Sequence, residues 1–222
     1  MEHSETCSSR SSRWTQPHAP NSRVYIQTAA SWFKHTRHCQ PSSILWTIHT
    51  AAIATFHAPS NLSGVGGMKC KCIHAIGRWR KGPGRYDTMF INTSSDNASV
   101  NTGDSSVHGI LGLEVAHAHL FFSFALDGVK YQCTLVHWFS RTTNNLHNVT
   151  GMHVIKPDHV PNGRPATAVI HLDTVFRAAH LLPAFSAHPA PSKHQQFEQT
   201  LDLFLEFYVN RYINHHAFEV LM

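Results

Sequence analysis

Asp127-Gly128 stands between two long runs rich in β-branched and aromatic residues, so that 113–140 reads LEVAHAHLFFSFALDGVKYQCTLVHWFS. Asp-Gly supplies two residues that tolerate positive φ, which a two-residue type I′ hairpin loop requires. The segment is therefore predicted to be a long antiparallel hairpin. Alternation places Leu120, Phe122, Phe124 and Leu126 on one face of the first arm, and Tyr131, Cys133, Leu135, His137 and Phe139 on one face of the second. Phe122 and Trp138 are expected to be buried. A chain committed to such a hairpin has to supply further strands to cover its edges.

Those strands are legible elsewhere. Residues 44–58, ILWTIHTAAIATFHA, end at Pro59 and read as a strand, as do RYDTMFINT (85–93), GMHVIKPD (151–158) and AVIHL (168–172). SGVGGM (63–68) is a glycine turn with no Gly-Lys-Ser/Thr after it, so it is not a phosphate loop. Asp173 is placed to N-cap a short helix over TVFRAAH (174–180). Thr200 caps LDLFLEFYVNRYI (201–213), where Leu201, Phe204, Leu205, Tyr208, Val209, Tyr212 and Ile213 share one helical face. The expected fold is α+β and β-rich: a small twisted antiparallel sheet or barrel, closed by a C-terminal amphipathic helix over 201–213. Residues 1–43, polar and basic, read as a disordered or poorly ordered arm, with one ambiguous stretch over 23–43. Residues 44–222 read as a single β-rich domain.

Charge divides the chain. Residues 6–86 carry eleven Lys/Arg and no Asp or Glu, whereas 87–222 carry seven basic and eleven acidic side chains. A basic half suits a polyanion, or an intramolecular match with the acidic half. Within it, GRWRKGPGRY (77–86) offers Arg78, Arg80, Lys81 and Arg85 to phosphates. Trp79 and Tyr86 offer stacking faces, and the glycines permit close approach. DNA or another nucleic acid is the candidate partner.

The rest of the chemistry is thin. Cys70, Cys72 and His74 resemble half of a zinc site, but a second ligand pair is missing at recognised spacing and Cys39, His35, His38 and His57 do not supply one. Neither a cofactor nor a metal is expected. No Gly-x-Ser-x-Gly elbow is present, and Asp87, Glu114, Asp127, Asp158 and Asp173 are too scattered to read as a metal-nuclease set. The chain is expected not to be an enzyme. Five cysteines at irregular spacing are not a disulfide framework, and the first thirty residues lack an apolar signal segment. The expectation is an intracellular protein, not secreted, with the nucleus as candidate compartment and no membrane partner.

Six segments taken in order carry a family resemblance: ATFHAPSNLSGVGGM (54–68), WRKGPGRYDTMFIN (79–92), FFSFALDGVKYQCTLVHWFS (121–140), TGMHVIKPD (150–158), AVIHLDTVFRAAHLLPAF (168–185) and LDLFLEFYVNRYINHHAFEV (201–220). Together they resemble the C-terminal region of proteins encoded by basidiomycete DNA transposons of the Plavaka type, relatives of the En/Spm (CACTA) group. The resemblance runs from about residue 50 to the end. It implies a fungal, transposase-derived tail without the acidic ribonuclease-H-like core that carries strand transfer. Where relatives read Met-Arg-Arg-Glu-Arg-Ile-Arg-Ala, this chain reads Met68-Lys69-Cys70-Lys71-Cys72-Ile73-His74-Ala75. The changes from Arg to Lys, Cys or His and from Glu to Lys are each one C-to-T step, so Cys70 and Cys72 read as mutational scars of a degenerate copy rather than ligands. The expected function is a non-catalytic domain with weak, sequence-independent nucleic-acid binding. The alternatives are a β-barrel module that reads a peptide or chromatin partner, and a zinc-stabilised structural domain.

Overall fold

The computed structural model describes residues 22–26, 46–58, 65–93, 112–185 and 200–221. Its centre is the expected hairpin, β7 (Leu113–Leu126) and β8 (Val129–Arg141), paired from Val115↔Phe139 to Leu126↔Val129. Asp127 and Gly128 both have positive φ, 51° and 78°, as the type I′ loop demands. A bulge between Ala118 and Leu120 interrupts the register and shifts the alternation by one residue. Phe121 thereby joins Ala116 and Ala118 in the core and is fully buried, whereas Leu126 is 43% exposed. Phe122 is buried, and Trp138 is half-buried against the same core.

The bulge organises everything on that edge of β7. Before it, β6 (Thr88–Asn92) pairs with 113–117, and after it β2 (Trp46–His49) pairs with 121–124. At the gap both neighbours turn away. The run expected as one strand over 44–58 bends at Thr50 and continues as β3 (Ala51–His57); the run over 85–93 bends at Asp87, where β5 (Arg85–Tyr86) gives way to β6. Between β3 and β5 lies β4 (Met68–Ile76), preceded by a one-turn 3-10 helix at Val65–Gly67. Three backbone bonds stitch the corner: Ala75 N–H donates to Thr50 O (3.0 Å), Asp87 N–H to His74 O (2.8 Å), and Ala118 N–H to Asp87 O (3.1 Å). A second sheet thus grows out of the edge of the first. Its far strand is β1 (Ser22–Ile26), paired with β3, so part of the 1–43 arm is built into the fold; the remainder lies outside the described residues.

On its other side β8 carries β9 (Val154–Pro157) and β10 (Thr167–His171); with β11 (Val175–Ala178), β12 (Leu181–Pro183) and β13 (Phe207–Val209), the curled antiparallel sheet runs β11-β6-β7-β8-β9-β13-β12. Here two expectations are corrected. The segment 174–180 is not a helix capped by Asp173: His171 caps a single 3-10 turn at Leu172–Thr174, and β11 (Val175–Ala178) follows, paired with β6. Val175 and Arg177 are buried while Phe176 and Ala178 are half-buried, the period of a strand. The 201–213 helix is also absent. One helical turn, α1 (Thr200–Leu203), gives way to β13 (Phe207–Val209), inserted between β9 and β12 (Leu181–Pro183), and the small helix α2 (His215–Val220) follows. The apolar stripe that suggested a helix is not buried as a unit: Phe204 and Val209 lie in the core, but the rest of the stripe does not follow them. Leu205, Tyr212 and Ile213 are exposed, whereas Phe207, off that stripe, is fully buried together with Val209. Sheet edges need backbone partners, and an aromatic and β-branched segment supplies them better than it propagates a helix.

Both faces of the central sheet are therefore covered. Met89, Ile91, Ala116, Phe121 and Val136 meet Ala52, Ala54, Ile73 and Ala75 of the second sheet in one core. Phe90, Val115 and Phe139 meet Phe204, Phe207, Val209 and Leu221 of the C-terminal segment in the other.

Candidate nucleic-acid interface

The β4–β5 connection is a short hairpin that carries most of the predicted contact residues. Gly82 N–H donates to Trp79 O (2.7 Å) and Trp79 N–H to Pro83 O (2.9 Å). Arg80 and Lys81, at the centre of this turn, have φ of 45° and 67°. Two successive positive-φ residues closed by that bond make a type I′ turn, which ordinarily takes Asn and Gly. Arg and Lys each cost about 1 kcal/mol or more in that conformation. The strain places two cations at the tip of the hairpin, both exposed, with Arg78 exposed beside them. At the neck, a Cβ on Gly84 would sit 2.9 Å from the Tyr86 ring and 3.1 Å from Ile76 O, so only glycine fits.

Trp79 is half-buried and holds the loop together. Its ring stands edge-on to His74 at 4.3 Å, with the guanidiniums of Arg80 and Arg85 over it at 5.3 and 5.1 Å. Its stacking surface is thus already in contact with cations, and it orders them as well as offering a platform. Arg85 is committed further. Its Nε donates to Asp87 Oδ1 (2.9 Å) and its Nη2 to Oδ2 (3.3 Å). Of the four predicted phosphate contacts, Arg78, Arg80 and Lys81 are exposed, Arg80 also lying over Trp79, while Arg85 is half-buried and paired with Asp87.

Asp87 is the residue that reading the sequence missed: it stands there only as one scattered acid within the strand run over 85–93. It receives His74 Nδ1 (2.9 Å), the His74 backbone N–H (2.8 Å) and Arg85. Burial alone would raise its carboxyl pKa, but bonds from His74 and Arg85 outweigh that and hold it below the ordinary range. Burial likewise disfavours a charged His74, yet Asp87 and the neighbouring Cys72 sulfur raise its pKa to about 9. A signal was present in the sequence: Asp87 is the first carboxylate after a long basic stretch, and lies two residues from Arg85.

Tyr86, 39% exposed, marks the other flank. Behind it runs a row of imidazoles, His117, His119, His137 and His159, with successive centroids 4.7, 6.1 and 5.8 Å apart. His117 Nε2 donates to Tyr86 O at 3.2 Å. Burial, then the neighbouring His119, pushes its pKa down to about 4, so it is neutral at pH 7 and adds nothing to the positive field. A cleft of about 290 Å³ opens between Trp79, Pro83, Arg85 and Tyr86 on one side and Thr200 and Leu201 on the other.

Cys70, Cys72 and His74 do not converge on one point. Cys72 Sγ lies 3.5 Å from His74 Nε2, whereas Cys70 Sγ meets Thr55 Oγ1 at 3.4 Å. Among the described residues no group of three or more His, Cys, Asp or Glu is arranged to hold a metal ion. His35, His38 and Cys39 lie outside the described residues. Comparison with protein-family models, with curated proteins and with solved structures finds no match.

Proposed function

We propose that this chain is a non-catalytic, transposon-derived β-rich domain, a degenerate relative of the Plavaka-type tails, that holds nucleic acid weakly and without regard to sequence through the 77–86 hairpin. The observation that carries the reading is the strained turn. Arg80 and Lys81 occupy left-handed backbone that glycine or asparagine would occupy at lower cost, and the return for that cost is a pair of cations held at an exposed tip. Arg78 extends the patch, and Trp79, Tyr86 and Arg85 order it. Nothing in the turn is shaped to read base edges, so phosphate contact supplies the affinity. The setting that goes with this reading is intracellular, in the nucleus.

The test is fluorescence anisotropy with labelled duplexes and single strands of unrelated sequence. Affinity is expected to be similar across sequences and to fall about fortyfold between 50 and 200 mM salt if three phosphate contacts release their counterions. A domain that reads a peptide instead would leave the oligonucleotides unbound at low salt.

A further inference from the structure

We propose that Cys72 is a nucleophilic thiol, positioned by the His74–Asp87 pair for thiol–disulfide exchange with small anionic disulfides. β4 sets Cys72 and His74 two residues apart, on the same face of the strand. The corner at Asp87 brings a carboxylate to the far side of the imidazole. The resulting chain runs Cys72 Sγ to His74 Nε2 at 3.5 Å, then His74 Nδ1 to Asp87 Oδ2 at 2.9 Å. That is the order of nucleophile, imidazole and orienting carboxylate that activates a thiol. Asp87 fixes the ring: with Nδ1 turned to the carboxylate and His74 N–H held by the same oxygen, Nε2 is left facing the sulfur. His74, with its pKa raised to about 9, is an imidazolium at neutral pH and turns its Nε2 proton toward the sulfur.

The other described cysteines give the scale. Cys70 lies on the same strand face and is more exposed, but its neighbour is the Thr55 hydroxyl rather than an imidazole. Cys133 is buried, and burial pushes its thiol pKa up. An anionic partner is favoured by the exposed cations of the adjoining hairpin, Arg78, Arg80 and Lys81. In the exchange the Cys72 thiolate attacks one sulfur of the disulfide. One S–S bond forms as another breaks, and the departing thiolate takes the Nε2 proton of His74. No further oxidant is needed. Whatever mutation produced Cys72, the fold has given it these neighbours.

The test follows mixed-disulfide formation at each cysteine by peptide mass spectrometry, with the full chain folded and glutathione disulfide or the cationic cystamine as probe. Cys72 is expected to react about tenfold faster than Cys70 despite its lower exposure, and faster with glutathione disulfide than with cystamine. His74→Gln and Asp87→Asn should each bring Cys72 down to the rate of Cys70, while Cys70→Ser leaves it unchanged. Cys133 serves as the folding control, since it reacts only if the core opens. Should a variant unfold, the wild-type ratio alone decides. A Cys70 rate equal to or above that of Cys72 overturns the proposal, as does an unchanged Cys72 rate in folded His74→Gln. Faster reaction with cystamine overturns the anionic preference.

Discussion

Asp87 accepts four hydrogen bonds, two from His74 and two from Arg85, at the bend where one sheet passes into the other, and the pKa changes on it and on His74 convert directly into stability. Its carboxyl pKa is lowered by folding, so the stability it lends is present above the ordinary carboxylate range and fades as pH falls through the lowered value. His74, raised from 6.5 to about 9, stabilises in full below 6.5 and loses that contribution as pH rises through 9. Asp87→Asn is therefore expected to cost about 3 kcal/mol at pH 6 and distinctly less at pH 10, measured by urea unfolding at each pH. An equal loss at both would mean that the imidazolium does not contribute. Gly84→Ala should also destabilise, because the added methyl meets backbone at 3.1 Å. The basic residues of the loop were legible from composition alone. Their counter-ion was not, because pairing His74 and Arg85 with Asp87 depends on a corner that strand propensity does not reveal.

At the level of elements, the β7–β8 turn and the C-terminal segment were read with opposite success, for one reason. Turn chemistry is local, so Asp127-Gly128 announced its hairpin. The fate of 201–213 was decided by long-range pairing: its i, i+3, i+4 stripe fits a helix, but the open edges of β9 and β12 take Phe207–Val209 as a strand. The same competition converted 174–180 into β11. Two measurements follow. Replacing Arg80 with Asn and Lys81 with Gly should relieve the strained turn and stabilise the fold by about 1–2 kcal/mol, seen as a higher denaturation midpoint, while weakening oligonucleotide binding. Stability and binding moving in the same direction would mean that the turn is not strained for the sake of its cations. Phe207→Ala should cost about 3–5 kcal/mol, and Leu205→Ala, at an exposed site, close to nothing. A helix would give the reverse order.

At the scale of the whole molecule, the described residues form two sheets sharing a corner, with a core on each face of the larger one, and the histidines among them make the fold sensitive to acid. His49, His117, His153, His180 and His216 all have pKa values lowered by folding, chiefly through burial. His216 accepts a hydrogen bond from the buried Arg177 at 2.6 Å, which ties α2 to β11 and keeps its ring neutral. In each case the unfolded chain takes up a proton that the folded one refuses. Stability should thus fall as pH drops below about 6.5, and a thermal scan series from pH 7.5 to 5 checks it. The chain holds 20 histidines, and His117, His119 and His137 become neighbours only once β7 and β8 are in register. The basic surface that the first half of the chain presents is what the proposed function rests on, and its salt dependence is the most direct measure of it. Duplex-DNA affinity should be measured against salt for the wild-type protein and for the triple variant Arg78→Ala, Arg80→Ala, Lys81→Ala. The slope of log affinity against log salt is expected to fall by about 0.9 for each lost phosphate contact, about 2.7 in all. A triple variant that keeps the wild-type slope would contradict the assignment of the nucleic-acid contact to this hairpin.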